Sequence, residues 1–430
     1  MTWQEKYADK IMTAEEAMRH IQSGDKIIVG DWLAEPPALM EALVARHEEL
    51  RNVTLISGMS PGPEDYYEYP DSFREVLTFC GPKARVAMKN GMVDFIGGTT
   101  YHKWPEMFAQ SPELNPHWAF IQVSEPDENG NCSYGIDVSF TEPAVRTAEK
   151  VIAQVNPNMP WTFGNSISLD DIDYIVPAES QLYTIDRAEP SEKIQRIADY
   201  VAERVEDGST IQLGIGALPD AIARNLTSKK HLGVHTEAMT EAMMELMQAG
   251  VIDGSMKTLN KGKVVTCQIA GSHDLYKFCD HNPDILVKPV DYTNDPAIIG
   301  QNYKQTSINA CIEVDLKGQV NSETIDGHMY GGIGGQLDHV RGAQLSEGGK
   351  SFITLNSTTR KDTISKIVPS LGKGSVVSVS RYDAQYIVTE YGVADLRYKT
   401  ERERAKALIA VAHPNFREEL TYEAKKMGLL

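Results

Sequence analysis

An α/β fold is the class this chain predicts, and three observations predict it. Short apolar runs of strand length alternate with longer segments whose apolar residues recur at helical spacing. The pattern restarts midway: "SGDKIIVGDWLAEPPALMEALVAR" from Ser23 and "EDGSTIQLGIGALPDAIARNL" from Glu206 share the order Gly/Asp turn, apolar strand, proline-bearing loop, helix. At 430 residues and 41% hydrophobic side chains, the chain is long enough for two cored domains.

In chain order, "KIIVG", "VTLIS", "HWAFIQV", "KVIAQVN" and "YIVPA" read as strands, and "PPALMEALVARHEEL" as an amphipathic helix. The stretch "DRAEPSEK", from Asp186 to Lys193, joins a polar turn, a proline and a serine N-cap with glutamate soon after. It starts the helix "SEKIQRIADYVAERV" and sets the expected boundary near 188, giving domains 1–188 and 189–430. In "IQLGIGALPDAIARNL", Gly214 and Gly216 follow a strand and Pro219 falls near the first helical turn, where its missing N–H costs nothing. Free amides at that helix start favour an anion such as a phosphate. A tight turn without ligand fits equally well, and the third glycine of the dinucleotide fingerprint is absent, with Pro219 in its place. In "YGGIGGQLDHVRGA", Gly331, Gly332, Gly334 and Gly335 are costly to order. The expected cause is a loop whose amides face a reacting oxygen or a ligand, since the flanking "QLDHVRG" reads as ordered.

The segment "HLGVHTEAMTEAMMELM" predicts a short strand, "LGVH", then a helix from about Thr236 with Met239, Met243, Leu246 and Met247 inward. Glu241 and Glu245 then lie on a solvated face. Glu237 falls at the strand-to-helix turn, where α/β sheets present groups to a ligand crevice. Favourable placement at a helix N-terminus explains a first-turn glutamate as well. His235 reads as a packed histidine and Thr236 as a cap. Neither reads as a nucleophile.

A formal net charge of -18 repels phosphate backbones and anionic lipid, and no basic run offsets it, so neither nucleic acid nor membrane is an expected partner. The five cysteines are scattered, without C-x-x-C pairs or zinc-ligand spacing, which implies no metal and fits a reducing cytoplasm. The charged N-terminus lacks the apolar core of a signal peptide, so a cytoplasmic location is expected. A symmetric homo-oligomer is the default assembly.

The ordered set "IQLGIGALPDA", "KKHLGVHTEA", "KPVDYTNDPAIIGQN", "SINACIEVDLKGQVNSE", "GGIGGQLDHVRGAQLSEGGKSF" and "VTEYGVADLRYKTERERAKALIAVAHPNFREEL" resembles the acetyl-CoA hydrolase/transferase family, in its 4-hydroxybutyrate and butyryl-CoA:acetate CoA-transferase branch. The resemblance spans essentially the whole chain and implies two related α/β domains of the CoA-transferase (NagB/RpiA-like) type. It implies ping-pong transfer of coenzyme A, here a substrate, between short-chain acyl-CoA and carboxylates such as acetate. Through "GVHTE", Glu237 matches the residue that becomes a glutamyl-CoA thioester. Gly335 in "GGIGGQ" matches a backbone oxyanion donor, and Asn294 in "DYTNDP" an amide that orients the glutamate or donates to the reacting oxygen. Expected CoA contacts are Gln212, Leu213, Gly214, Ile215 and Gly216, with Ile312, Gly335 and Lys361. The "AEPPAL" loop, Ala34 to Leu39, is expected on the acyl side of the cleft. Ala238, His339 and Tyr398 depart from the family's usual Met, Phe and Gly, and are expected to shape the acyl pocket or its packing. The rival expectations are an acyl-CoA hydrolase on the same scaffold, a sugar-phosphate isomerase, and a non-catalytic CoA-binding sensor.

Overall fold

Parallel strands buried on both faces organise each half of the chain. The computed structural model describes residues 2–62, 65–139 and 141–430. Two compact units form: Met1–Asp186 with Val265–Thr293, and Arg187–Val264 with Asn294–Leu430.

In the first unit, β1 (Lys26–Val29), β2 (Val53–Ser57), β3 (Phe73–Leu77), β4 (Val93–Phe95), β5 (Trp118–Val123), β6 (Lys150–Val155) and β7 (Tyr174–Pro177) make one sheet in the order β4-β3-β2-β1-β5-β6-β7. Every neighbouring pair is parallel. The five apolar runs singled out above are all strands of this sheet. Their near-continuous hydrophobicity is what a two-sided parallel sheet requires. Ile27, Leu55, Phe73, Trp118, Phe120 and Ile152 pack with Leu39 and Leu43 of α1 (Pro37–Val44), which opens on proline at its first position.

The second unit begins at α2 (Glu192–Ala202), where the Ser191 hydroxyl accepts from the Ile194 amide at 3.4 Å, the N-cap its sequence announces. Further elements are β8 (Thr210–Leu213), α3 (Ala217–Asn225), β9 (Gly233–Val234), α4 (Glu241–Gln248), α5 (Pro296–Ile299), β10 (Gln305–Ala310), α6 (Gln336–Leu345), β11 (Lys350–Thr354), β12 (Tyr386–Thr389) and β13 (Gly392–Asp395). Their sheet runs β9-β8-β10-β11-β12-β13, parallel except for β12–β13.

The internal echo has a structural counterpart. β1 and β8 each take the next strand, β2 or β9, on one side and a later strand, β5 or β10, on the other. Each sheet therefore reverses direction at its echo strand, the point where open α/β sheets bind ligands beyond the carboxyl ends of their strands.

One face of the second sheet is polar across β8, β10 and the start of β11. Thr210, Gln212, Gln305, Ser307, Asn309 and Ser351 share it by strand register. Gln212 Oε1 accepts from Ser307 Oγ at 2.8 Å and Asn309 Nδ2 at 3.1 Å. Val340 of α6 belongs to the same apolar cluster as Ile353, which lies on this face, so α6 covers it.

Candidate active site

The site is assembled on the second unit from three segments distant in sequence. β9 is a two-residue edge strand. The amides of Gly233 and His235 donate to Ser209 and Ile211 carbonyls at 2.9 and 3.2 Å. Glu237 stands at the bend just beyond, and is half-buried. The expectation of a helix from about Thr236 is corrected here. α4 starts at Glu241, and Ala238–Met239 is extended. Thr236 is no helix cap: its hydroxyl donates at 3.3 Å to the Leu213 and Ala238 carbonyls. His235 is fully buried, as expected, and its carbonyl accepts from Gln305 Nε2 at 3.2 Å. The catalytic candidate is thus held by a folded-back turn rather than by the first turn of a helix. The solvated-face expectation survives only for Glu245, which pairs with Arg187 at 2.5 Å, because Glu241 is buried.

Asn294 meets Glu237 from a second segment. Its Nδ2 donates to Glu237 Oε2 at 2.7 Å, and Asn294 is fully buried. The next two residues explain its fixed position. The Asp295 carboxylate caps α5 by accepting from the Ala297 amide at 2.8 Å, and Pro296 occupies the first helical position. A neutral amide donor orients the carboxylate while leaving its charge in place.

Gly335 closes the third side. A β-carbon there would sit well inside van der Waals contact with both Glu237 Oε2 and Asn294 Nδ2. Gly334, at φ +51°, has the other carboxylate oxygen, Oε1, 3.5 Å from where its β-carbon would be. The glycine density expected to serve a reacting group is therefore a steric requirement at Gly335 and a conformational one at Gly334. Gly335 is also the N-cap of α6, so the start of that helix follows directly on the residue that packs against the carboxylate, where developing negative charge is favoured.

The remaining expected residues surround this triad less closely. Gln212 and Leu213 are buried in β8, and the Gln212 side chain is engaged by Ser307 and Asn309. Gly214, Ile215 and Gly216 form the outward loop, with Ile215 exposed and Gly216 at φ +113°. Ile312 lies just past β10, half-buried, its amide bonded to the Asn321 carbonyl at 2.9 Å. Lys361 is exposed at the centre of three successive left-handed residues, Arg360 to Asp362. That turn is anchored by Lys193, which contacts the carboxylates of Asp362 and Glu390. Gly214–Gly216 and Ile312 follow the carboxyl ends of the parallel strands β8 and β10.

Among the departures, Ala238 and His339 are buried, whereas Tyr398 is fully exposed at φ 56° and takes no part in packing. Both ring nitrogens of His339 lack partners, and burial pushes its pKa down to about 3. Gln305 was not legible as a supporting residue. Its signal, a glutamine opening the strand "QTSINA", is no stronger than that of any polar strand residue.

Comparison with known proteins adds to this geometry. Residues 1–185 match the family model described as the acetyl-CoA hydrolase/transferase N-terminal domain, and residues 271–424 its C-terminal domain. A 4-hydroxybutyrate coenzyme A transferase from Clostridium kluyveri is 42% identical over 429 residues, covering 99% of this chain and 100% of that protein. The crystal structure of a 4-hydroxybutyrate CoA-transferase from Porphyromonas gingivalis matches with a TM-score of 0.84 at 36% identity, covering 99% of this chain and 100% of that one. The structure of RipA from Yersinia pestis matches with a TM-score of 0.93 at 33% identity over 100% of both chains.

Proposed function

Since the chain belongs to the acetyl-CoA hydrolase/transferase family, we propose that it moves coenzyme A between a short-chain acyl-CoA and a carboxylate acceptor, with Glu237 as the covalent carrier. One observation carries the assignment to Glu237: its carboxylate accepts from buried Asn294 at 2.7 Å while resting against the bare Cα of Gly335.

In the first half-reaction the Glu237 carboxylate adds to the thioester carbonyl, the C–S bond breaks, and CoA leaves as a thiolate with an acyl-glutamyl anhydride behind it. The thiolate then adds to the Glu237 carbonyl of the anhydride. The bond from the glutamyl carbonyl carbon to the bridging oxygen breaks, the first carboxylate departs with that oxygen, and glutamyl-CoA remains. An acceptor carboxylate reverses both steps. Each addition places negative charge on a carbonyl oxygen, and the amides opening α6 at Gly335, with the Asn294 side chain, are the donors we assign to it. The acyl groups proposed are short, of the acetate, butyrate or 4-hydroxybutyrate kind. The outward Gly214–Gly216 loop and Lys361 are the proposed contacts for the CoA phosphates.

Peptide mass spectrometry tests this directly. After mixing with butyryl-CoA in the absence of acceptor and quenching with borohydride, the peptide holding Glu237 is expected to carry the reduced glutamyl product. Acetate added before the quench is expected to discharge the adduct to acetyl-CoA. Discharge by water at the same rate makes the protein a hydrolase, and absence of the adduct removes Glu237 from the mechanism.

A further inference from the structure

Glu237 is reached from an edge strand, and an edge leaves carbonyls without partners. Because the Gly233 and His235 amides bond β8, the Val234 carbonyl between them turns to the outer side. Lys257 fills that place. Its Nζ donates to Val234 O at 2.7 Å and to Lys263 O at 2.8 Å, and the residue is only 3% exposed. No carboxylate pairs with it among the described residues.

The surrounding chain is built to deliver this one amine. Residues 253–263 form a loop clasped at its neck, where Gly262 N bonds Gly254 O at 2.9 Å and the two glycine backbones touch. The loop is tied to the strand by the Asp253 and Gly254 amides, which donate to Leu232 O at 3.1 and 3.0 Å. The stem of Lys257 crosses Gly233 so closely that a β-carbon there would overlap it. A lone buried lysine with no counter-ion is costly, and burial lowers its pKa to about 7. A neutral side chain of similar length would avoid that cost, so the amine has a local use.

We propose that Lys257 is a positioning residue for the nucleophile: by holding the Val234 carbonyl it fixes the end of β9 and with it the turn that presents Glu237 to Asn294 and Gly335. The inference rests on the carrier role proposed above for Glu237. Three consecutive groups ahead of the carboxylate are then each restrained, Val234 O by Lys257, His235 O by Gln305 and the Thr236 hydroxyl by Leu213 O. Loss of the first restraint displaces the carboxylate without touching the loops that meet the substrate.

The test compares wild type with Lys257→Met and Lys257→Gln, the second of which keeps an N–H donor. Rapid quench with butyryl-CoA gives the rate of glutamyl-CoA formation, and steady-state assays give kcat and KM. For Lys257→Met the expected result is a fall of about 10–100-fold in adduct rate and kcat with KM unchanged, the size of effect that a misplacement near 1 Å produces. Lys257→Gln is expected to fall between that variant and wild type. An unchanged adduct rate in Lys257→Met overturns the proposal. So does a change confined to KM, or loss of the fold in both variants, which makes Lys257 a stability residue only. If wild type forms no adduct, the carrier role of Glu237 falls first and the proposal falls with it.

Discussion

Replacing Gly335 by alanine puts a methyl group where the Glu237 carboxylate and the Asn294 amide already meet. Both are side chains and can move aside, so the expected outcome is a folded protein with transfer reduced about 100-fold, checked by assay beside near-UV circular dichroism. Asn294→Asp has a different signature. A second carboxylate at the 2.7 Å position shares a proton with Glu237, which raises the pH at which the nucleophile is anionic. Its activity relative to wild type is therefore expected to climb with pH in a rate profile. At His339 the interest is stability. Two unpaired buried nitrogens are removed by His339→Phe, and the variant is expected to gain about 1–3 kcal/mol in denaturant melts. The histidine's folded pKa, near 3, lies below the ordinary value of 6.5. The unfolded chain holds the extra proton between these values, so wild type loses stability as pH falls from 6.5 towards 3, and the variant is spared that loss.

At the level of elements, the Gly214–Gly216 loop is held open by a backbone that only glycine adopts cheaply. Gly216→Ala at φ +113° is expected to cost about 1–2 kcal/mol and to weaken CoA binding, measured by calorimetric titration. The strands of the first sheet were legible because parallel strands buried on both faces are continuous apolar runs, and the start of α2 because Ser191 caps it. The start of α4 was not. In "TEAMTEAMMEL" the apolar pairs Ala238–Met239 and Ala242–Met243 repeat every four residues, so a helical period extends backwards over residues that tertiary bonds to β8 and Ala238 O hold extended. The Glu237, Asn294 and Gly335 group was legible only through whole-chain resemblance, since nothing local in the sequence brings residues from three distant segments together. Lys257 lies outside any such motif and was found only through its contacts.

Across the whole molecule, one buried group in each unit gives an opposite pH dependence, Asp31 in the first and Lys257 in the second. In the first, burial raises Asp31 to about 6 and also raises Glu75 and Asp137. Folded Asp31 keeps its proton above the ordinary value of 3.8, so its contribution is present below that pH and is lost as pH rises through 6. In the second, Lys257 sits near 7 against an ordinary 10.5, and its contribution is lost as pH falls from 10.5 towards 7. Hydrogen exchange at pH 5 and pH 9, corrected for intrinsic rates, is expected to show protection falling in β1–β3 and rising in β8–β10 as pH increases. Parallel changes in both sets would contradict this assignment of the buried charges.

The polar face beneath α6 bears on calorimetry. Unfolding exposes its amides and hydroxyls along with apolar surface, and polar exposure lowers the heat capacity of the unfolded chain whereas apolar exposure raises it. The second unit should therefore unfold with a smaller heat-capacity increment per residue than an apolar sheet of its size. Its stability then varies less steeply between cold and heat, so the half of the chain that carries Glu237 keeps its shape over the broader span of temperature.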